Sequence, residues 1–316
     1  MTDLRPLLGF LVFALVFAGA LTCLVHLAGL RVREEMPYAK ALGLTALFVG
    51  VVLLGWWFVT RGSSGEGEAP TAITAEGASA ATPAPASARR LIPALILPSP
   101  MEVLRAFKPL HFEQGLVRSA LTSWARVTVG FLLAAIVAVP LGVYMATFPS
   151  IAAFFRPLAL TGAYVPIIVF IPLSISWFGI GEPQKIGFLF IGCFVALLPL
   201  VIKDIADVPS AFLDVAVTKG ASQWQLVRHV LFPVAQANIW DHLRGVYGVG
   251  WGWIIMAEVV VQPPYGLGRL IEVSNRRSHT DAIFAVIIVI VLIAIACDQL
   301  WRRGGEWLFP YRRTDD

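Results

Sequence analysis

Four charged side chains of this chain lie within or at the edges of long apolar stretches, a setting in which an ionisable group must be neutralised by a partner or has a functional task. Glu258 stands three residues before the end of the apolar run Leu243 to Val261, and it is the strongest candidate for chemistry with a charged solute or a gate. Asp298 has Arg302 four positions later, the spacing of an ion pair on one helix face. Arg126 and Arg244 stand near the ends of apolar runs, suited equally to anchoring an interface and to meeting an anion. A separate polar stretch, Asp207 to His242, interrupts two apolar runs and carries Asp214, Lys219, Arg228, His229 and Asp241. Catalytic signatures are missing. None of the lysines 40, 108, 185, 203 and 219 follows a glycine, so the chain has no Gly-Lys-Ser/Thr phosphate loop. Neither His-Glu-x-x-His nor Gly-x-Ser-x-Gly occurs, and no metal-ligand cluster is expected. The three cysteines, Cys23, Cys193 and Cys297, sit in apolar runs and read as small hydrophobes rather than a disulfide framework.

The elements that must carry these groups are membrane helices. Of the 316 residues, 58% are hydrophobic and only 14% charged, with a mean hydropathy of +0.77. A soluble domain averages about 25% charged residues, and runs of about 20 apolar residues match the bilayer's hydrocarbon thickness. The net charge of +4 is scattered without a block of like charges, which argues against nucleic acid as a partner. Leu7 to Leu30 reads as a retained first span and Tyr38 to Thr60 as a second, ending at Trp56 and Trp57. Five more are expected at about Leu121 to Thr147, Leu158 to Phe178, Ile186 to Ile205, Leu243 to Val261 and Ala282 to Trp301. The glycines 248 and 252 have the spacing that lets membrane helices pack closely. Tyr164, Trp177 and Trp251, with Glu258, are the candidates to line or gate a path across the membrane, although aromatic residues in spans more often face lipid or neighbours.

Between the second and third spans, residues 62–90 are Gly, Ala, Ser, Thr, Pro and Glu with one large aliphatic residue, Ile73, the composition of a flexible linker. In residues 91–119 a short amphipathic helix is expected at the membrane surface. Ser99 serves as its N-cap, Pro100 takes the first helical position and Glu102 closes a capping box. Val103, Leu104, Phe107 and Leu110 are expected on one face.

The polar stretch carries a resemblance. Asp214, Val215, Ala216, Gly220, Val230, Phe232 and Pro233 fall at the spacing of the signature loop of binding-protein-dependent ABC importer permeases. That loop reads Glu-Ala-Ala, three residues, Gly, nine residues, Ile, one residue, Leu-Pro. Four positions depart from it conservatively: Asp for Glu, Val for the first Ala, Val for Ile and Phe for Leu. The residues alone predict small side chains on a helix that can seat deeply, a tight turn at Gly220 and a stop at Pro233. The stretches Leu97-Pro98-Ser99-Pro100, Ser123-Trp124-Ala125-Arg126-Val127 to Gly130-Phe131, Trp177-Phe178-Gly179-Ile180-Gly181 and Gly266-Leu267-Gly268 resemble the nitrate, sulfonate, taurine and bicarbonate permeases.

The resemblance implies an all-α polytopic protein of about seven transmembrane helices, five or six in a permease core (residues 120–312) and an N-terminal extra span. It implies residence in the bacterial inner membrane, a second permease copy, an external solute-binding protein and cytoplasmic ATPases that hold the ATP and magnesium, this chain itself holding no cofactor and catalysing nothing. The coupling loop, 207–236, would dock on the ATPase through Asp214, Ala216, Gly220, Ala221, Trp224 and Pro233. The implied cargo is a small oxyanion. Charge counts on the two faces do not separate the two orientations, so orientation follows from the resemblance. Two other readings stay open: a non-transporting membrane scaffold or sensor using the 62–90 tether, and an ion-coupled secondary transporter that would depend on Glu258.

Overall fold

A computed structural model describes residues 38–60 and 96–311. The chain falls into two units, one up to Phe58 and one from Val59 onward. In the first, α1 (Tyr38–Val59) is a single 22-residue helix whose Leu42–Val59 stretch is long and apolar enough to cross a membrane. It coincides with the second expected span. The first expected span, Leu7 to Leu30, and the 62–90 linker lie outside the described residues.

Helices are the only regular elements among the described residues of the second unit. It opens with α2 (Pro100–Phe112), capped as the sequence predicts: the Ser99 N–H donates to Glu102 Oε2 at 2.7 Å, and the Ser99 side chain accepts from the Glu102 N–H. Val103, Ala106 and Leu110 are buried. Leu104, expected beside them, is 62% exposed, because one residue along a helix turns the side chain by about 100°.

Two long helices form the centre, α3 (Leu116–Thr147) and α6 (Glu182–Ala206). They approach closely at two glycines. A Cβ on Gly130 would come within 2.5 Å of Leu189 Cβ, and one on Gly142 within 2.7 Å of Val201 Cγ1. Such contacts replace the hydrophobic effect as the source of helix association in lipid.

Between α3 and α6 the expected continuous span Leu158 to Phe178 is broken. The chain forms α4 (Pro149–Tyr164), an extended Val165, a 3₁₀ turn over Ile167–Val169 and α5 (Phe170–Phe178). Pro166 is the cause: it cannot donate a backbone hydrogen bond, and it forces the preceding residue out of helical conformation. Pro140, Pro157 and Pro199 remain inside helices.

After α6 come α7 (Ser210–Thr218), α8 (Gln223–Leu226), a π-helical turn over Val227–Leu231, and α9 (Phe232–Val261). A short α10 (Leu267–Arg276), with no counterpart in the expected spans, leads to α11 (Thr280–Leu308). Among the described residues, α3, α6, α11 and the Leu42–Val59 stretch of α1 are long and apolar enough to cross a membrane. The 30-residue α9 has the length too, with Arg244 and Glu258 in its apolar sequence. The close packing expected at Gly248 and Gly252 is not made among the described residues, since a Cβ on either would meet none of them within 4 Å.

Candidate functional site

The two ends of α9 carry the features that matter. At its start is the polar loop. α7 stops at Lys219, where Gly220 adopts a left-handed φ of +79°, a conformation that side chains other than glycine rarely take. The N–H groups of Gly220 and Ala221 donate to the carbonyls of Val217 and Ala216, closing the turn. A second capping box, Ser222 with Gln225, then starts α8. Its Ser-x-x-Gln pattern is readable in the sequence. Pro233 does not stop the second helix as expected: it sits in the first turn of α9, which runs on through it. The helix is continuous through the π turn immediately before it, where the Phe232 N–H reaches back five residues to the Val227 carbonyl, and this wider turn accommodates the proline ring.

This loop is a knob with an apolar rim. Phe212, Val215, Val217 and Trp224 are each more than half exposed, Asp214 and Gly220 are exposed, and Ala216 and Ala221 are half-buried. Beneath it, Val227, Leu231, Ala235 and Ile239 pack with Val143, Val201, Ile205 and Val208. The Trp224 ring also stacks on Tyr144, near the end of α3, with centroids 6.3 Å apart. The knob is therefore seated on the ends of α3, α6 and α9 together.

About 39 Å further along α9, at 1.5 Å per residue, lies Glu258. It does not snorkel to the surface: its exposure is zero. Ser123 Oγ lies 2.7 and 2.9 Å from its two carboxylate oxygens, Arg126 Nη1 donates at 2.7 Å, and the Gly268 N–H donates at 2.9 Å. Ser123 Oγ in turn accepts the Leu267 N–H at 2.9 Å. Arg126 reaches the Tyr265 carbonyl with Nη1 and pairs bidentately with Glu182 through Nε and Nη2. Lys185, also buried, donates to the Gly181 carbonyl.

Each group in this knot is satisfied, as a buried charge must be. Two cations and two carboxylates join the third turn of α3, the first turn of α6, the last turn of α9 and the start of α10. Of the N–H groups at the α10 N-terminus that lack intrahelical partners, that of Gly268 goes to the Glu258 carboxylate and that of Leu267 to Ser123, at a helix end whose dipole favours negative charge. Room for it comes from the Gly-Leu-Gly stretch: a Cβ on Gly266 would fall 2.6 Å from the Glu258 carboxylate, and one on Gly268 within 2.5 Å of the Ile255 carbonyl.

The remaining expected residues separate. Tyr164 and Trp177 are exposed, at 84% and 58%, whereas Trp251 is buried and its Nε1 has no hydrogen-bond partner among the described residues. Asp298 does not pair with Arg302. It accepts two bonds from Arg244, at 2.6 and 2.8 Å, while Arg302 turns to Gln299 and Glu306. A planar guanidinium facing a carboxylate across two helices makes both bonds at once, which the i,i+4 geometry does not offer. Glu182, Lys185, Ser123 and Tyr144 were not singled out. Ser123, with Arg126, lies in one of the family-like stretches, and Glu182 follows another directly, so the local signal was present without its partner.

The fold and its two ends describe a helical membrane subunit with an exposed, apolar-rimmed loop at one end and a buried ionic knot at the other. Residues 138–301, just over half of the chain, match the family of binding-protein-dependent transport system inner membrane components, and the chain belongs to it. It is a multi-pass membrane permease of ABC import systems for small solutes. It is 32% identical to a protein of Methanocaldococcus jannaschii described as an ABC transporter permease, over 67% of this chain and 79% of that one. It is 29% identical to the taurine transport system permease protein TauC of Escherichia coli K12, over 88% and 94%. The bicarbonate transport system permease protein CmpB of Synechococcus elongatus is 24% identical, over 62% and 70%. In fold it is similar to a chain of the inward-facing MetNI methionine ABC transporter, with a TM-score of 0.55 and 18% identity, over 63% of this chain and 97% of that one.

Proposed function

We propose that this chain forms the translocation pathway of an ATP-driven importer for a small oxyanion, and that it couples to separate ATPase subunits through residues 214–233. The observation that carries the reading is the knob. Phe212, Val215 and Val217 are more than half exposed beside the Gly220 turn, Trp224 exposes as much while stacking on Tyr144, and the base of the knob is packed on three long helices. A rigid element of this kind moves with those helices when a partner moves it. ATP and magnesium belong to the partner, and two copies of this chain with an external binding protein complete the assembly in a bacterial inner membrane. The named relatives for taurine and bicarbonate support an oxyanion as cargo. In this reading Tyr164 and Trp177, both exposed on this subunit, face the pathway.

The test is a mild-detergent pull-down of the tagged chain from native membranes, comparing wild type with Val217→Asp, followed by uptake of labelled taurine, alkanesulfonates, nitrate and bicarbonate. A co-purifying chain with a phosphate-binding loop, lost in the variant, is the expected result. Absence of any such chain from the wild type would overturn the coupling reading, and uptake that persists in the variant would overturn the role of the knob.

A further inference from the structure

Asp204, in the last turn of α6, is only 5% exposed, and its one side-chain partner among the described residues is His242 of α9, whose Nδ1 lies 2.7 Å from Oδ2. We propose that this pair holds a single proton between its two members and is the positioning clasp of the knob. It fastens α6 to α9 under the loop, firmly while the proton is present and more weakly once it is lost.

Placement carries the first half of the argument. On α9, His242 follows Ala235 and Ile239 at the spacing of one helix face, and on α6 Asp204 stands one turn from both Val201 and Val208. Those four apolar residues belong to the cluster on which the knob is seated. The pair therefore continues the same seam between the two helices, about 15 Å along α9 from Phe232. Charge carries the second half. A buried carboxylate must be neutralised, and no fixed cation does this for Asp204. Arg244, two positions after His242, is held by Asp298 of α11. Lys203 and Asp207 on α6, Asp241 on α9, Arg228 and His229 on the π turn, and Asp214 and Lys219 on α7 are all exposed. The packed end of α3 contributes Tyr144 as its titratable group. His242 is left as the neutraliser, and histidine is the side chain that ordinarily changes charge in the physiological range. With the proton, an imidazolium meets a carboxylate and the pair is neutral. Without it, a neutral ring donates to a carboxylate whose buried charge is uncompensated, which is costly.

The clasp's importance for coupling rests on the reading of the knob given above; the clasp itself is measured on this chain alone, so either can fail without the other. The experiment is amide hydrogen exchange of the full chain in mild detergent, expressed as protection of residues 208–232, from about pH 5.5 to about pH 8. Wild type is expected to lose protection about five-fold across this range, a change between those of an exposed and a buried pair because His242 is 37% exposed. His242→Asn keeps an amide N–H near the place of Nδ1 and cannot take up the proton, so it should show the low protection of wild type at pH 8 throughout. Asp204→Asn removes the buried charge and should be independent of pH. Added to His242→Asn, it should restore protection, a rescue that loss of packing alone would not give. His229 stays in place in every variant, so its own titration cannot produce these differences. Wild-type protection that is flat over the range overturns the proposal, as does a His242→Asn variant that follows wild type at every pH. A double variant less protected than His242→Asn overturns it as well.

Discussion

Replacing Glu258 by Gln tests the buried knot most directly, because it keeps the shape and removes the charge. In the native arrangement the carboxylate accepts from Ser123, Arg126 and the Gly268 N–H. A carboxamide has one acceptor oxygen and one NH₂ group. With either orientation that NH₂ faces a donor, Arg126 on one side or the Gly268 N–H on the other. Breaking a buried ion pair by removing one partner costs about 3–5 kcal/mol. Arg126 keeps its bidentate bond to Glu182, so it is not stranded, and the expected loss is about 3 kcal/mol, the lower end of that range. At about 2–4 °C per kcal/mol for a chain of this size, the melting temperature in one detergent should fall by about 6–12 °C. The exposed Arg276–Glu272 pair is the control: surface pairs contribute about 0–1 kcal/mol, and Glu272→Gln should leave melting nearly unchanged. A folded Glu258→Gln variant melting within a degree of wild type would refute the view that this carboxylate holds four helices together.

Two other expectations concern geometry. Gly268→Ala places a methyl 2.5 Å from the Ile255 carbonyl, on backbone that cannot step aside, and should destabilise the subunit more than Gly220→Ala, where only the φ of +79° resists; thermal melting ranks the two. A double-mutant cycle on Arg244 and Asp298 should show a coupling of about 0.5–1 kcal/mol, as both are partly exposed, and the cycle on Asp298 and Arg302 none measurable; the reverse order would restore the i,i+4 pair.

Composition and patterning determined much of this protein. Long apolar runs separated by polar loops leave no other route than membrane helices, because a bilayer offers no water to unpaired backbone groups. The capping box at Ser99 and the turn at Gly220 are local, and a local pattern is legible because its partners lie within a few residues. The break at Pro166 was legible in principle, since proline constrains its neighbour directly, but the apolar run across it hides the interruption.

Tertiary structure decided the rest. Glu258 stands out from sequence as a charge in an apolar run, yet nothing local says that it meets Arg126, some 130 positions away, or that the glycines at 266 and 268 exist to admit it. Asp298 illustrates the same limit: Arg302 is the neighbour in sequence, and Arg244 is the neighbour in space with the better angle for two bonds. Helical periodicity states which residues share a face, whereas the partner of that face depends on how separate helices cross, and that is set by the sum of many packing contacts rather than by any one segment.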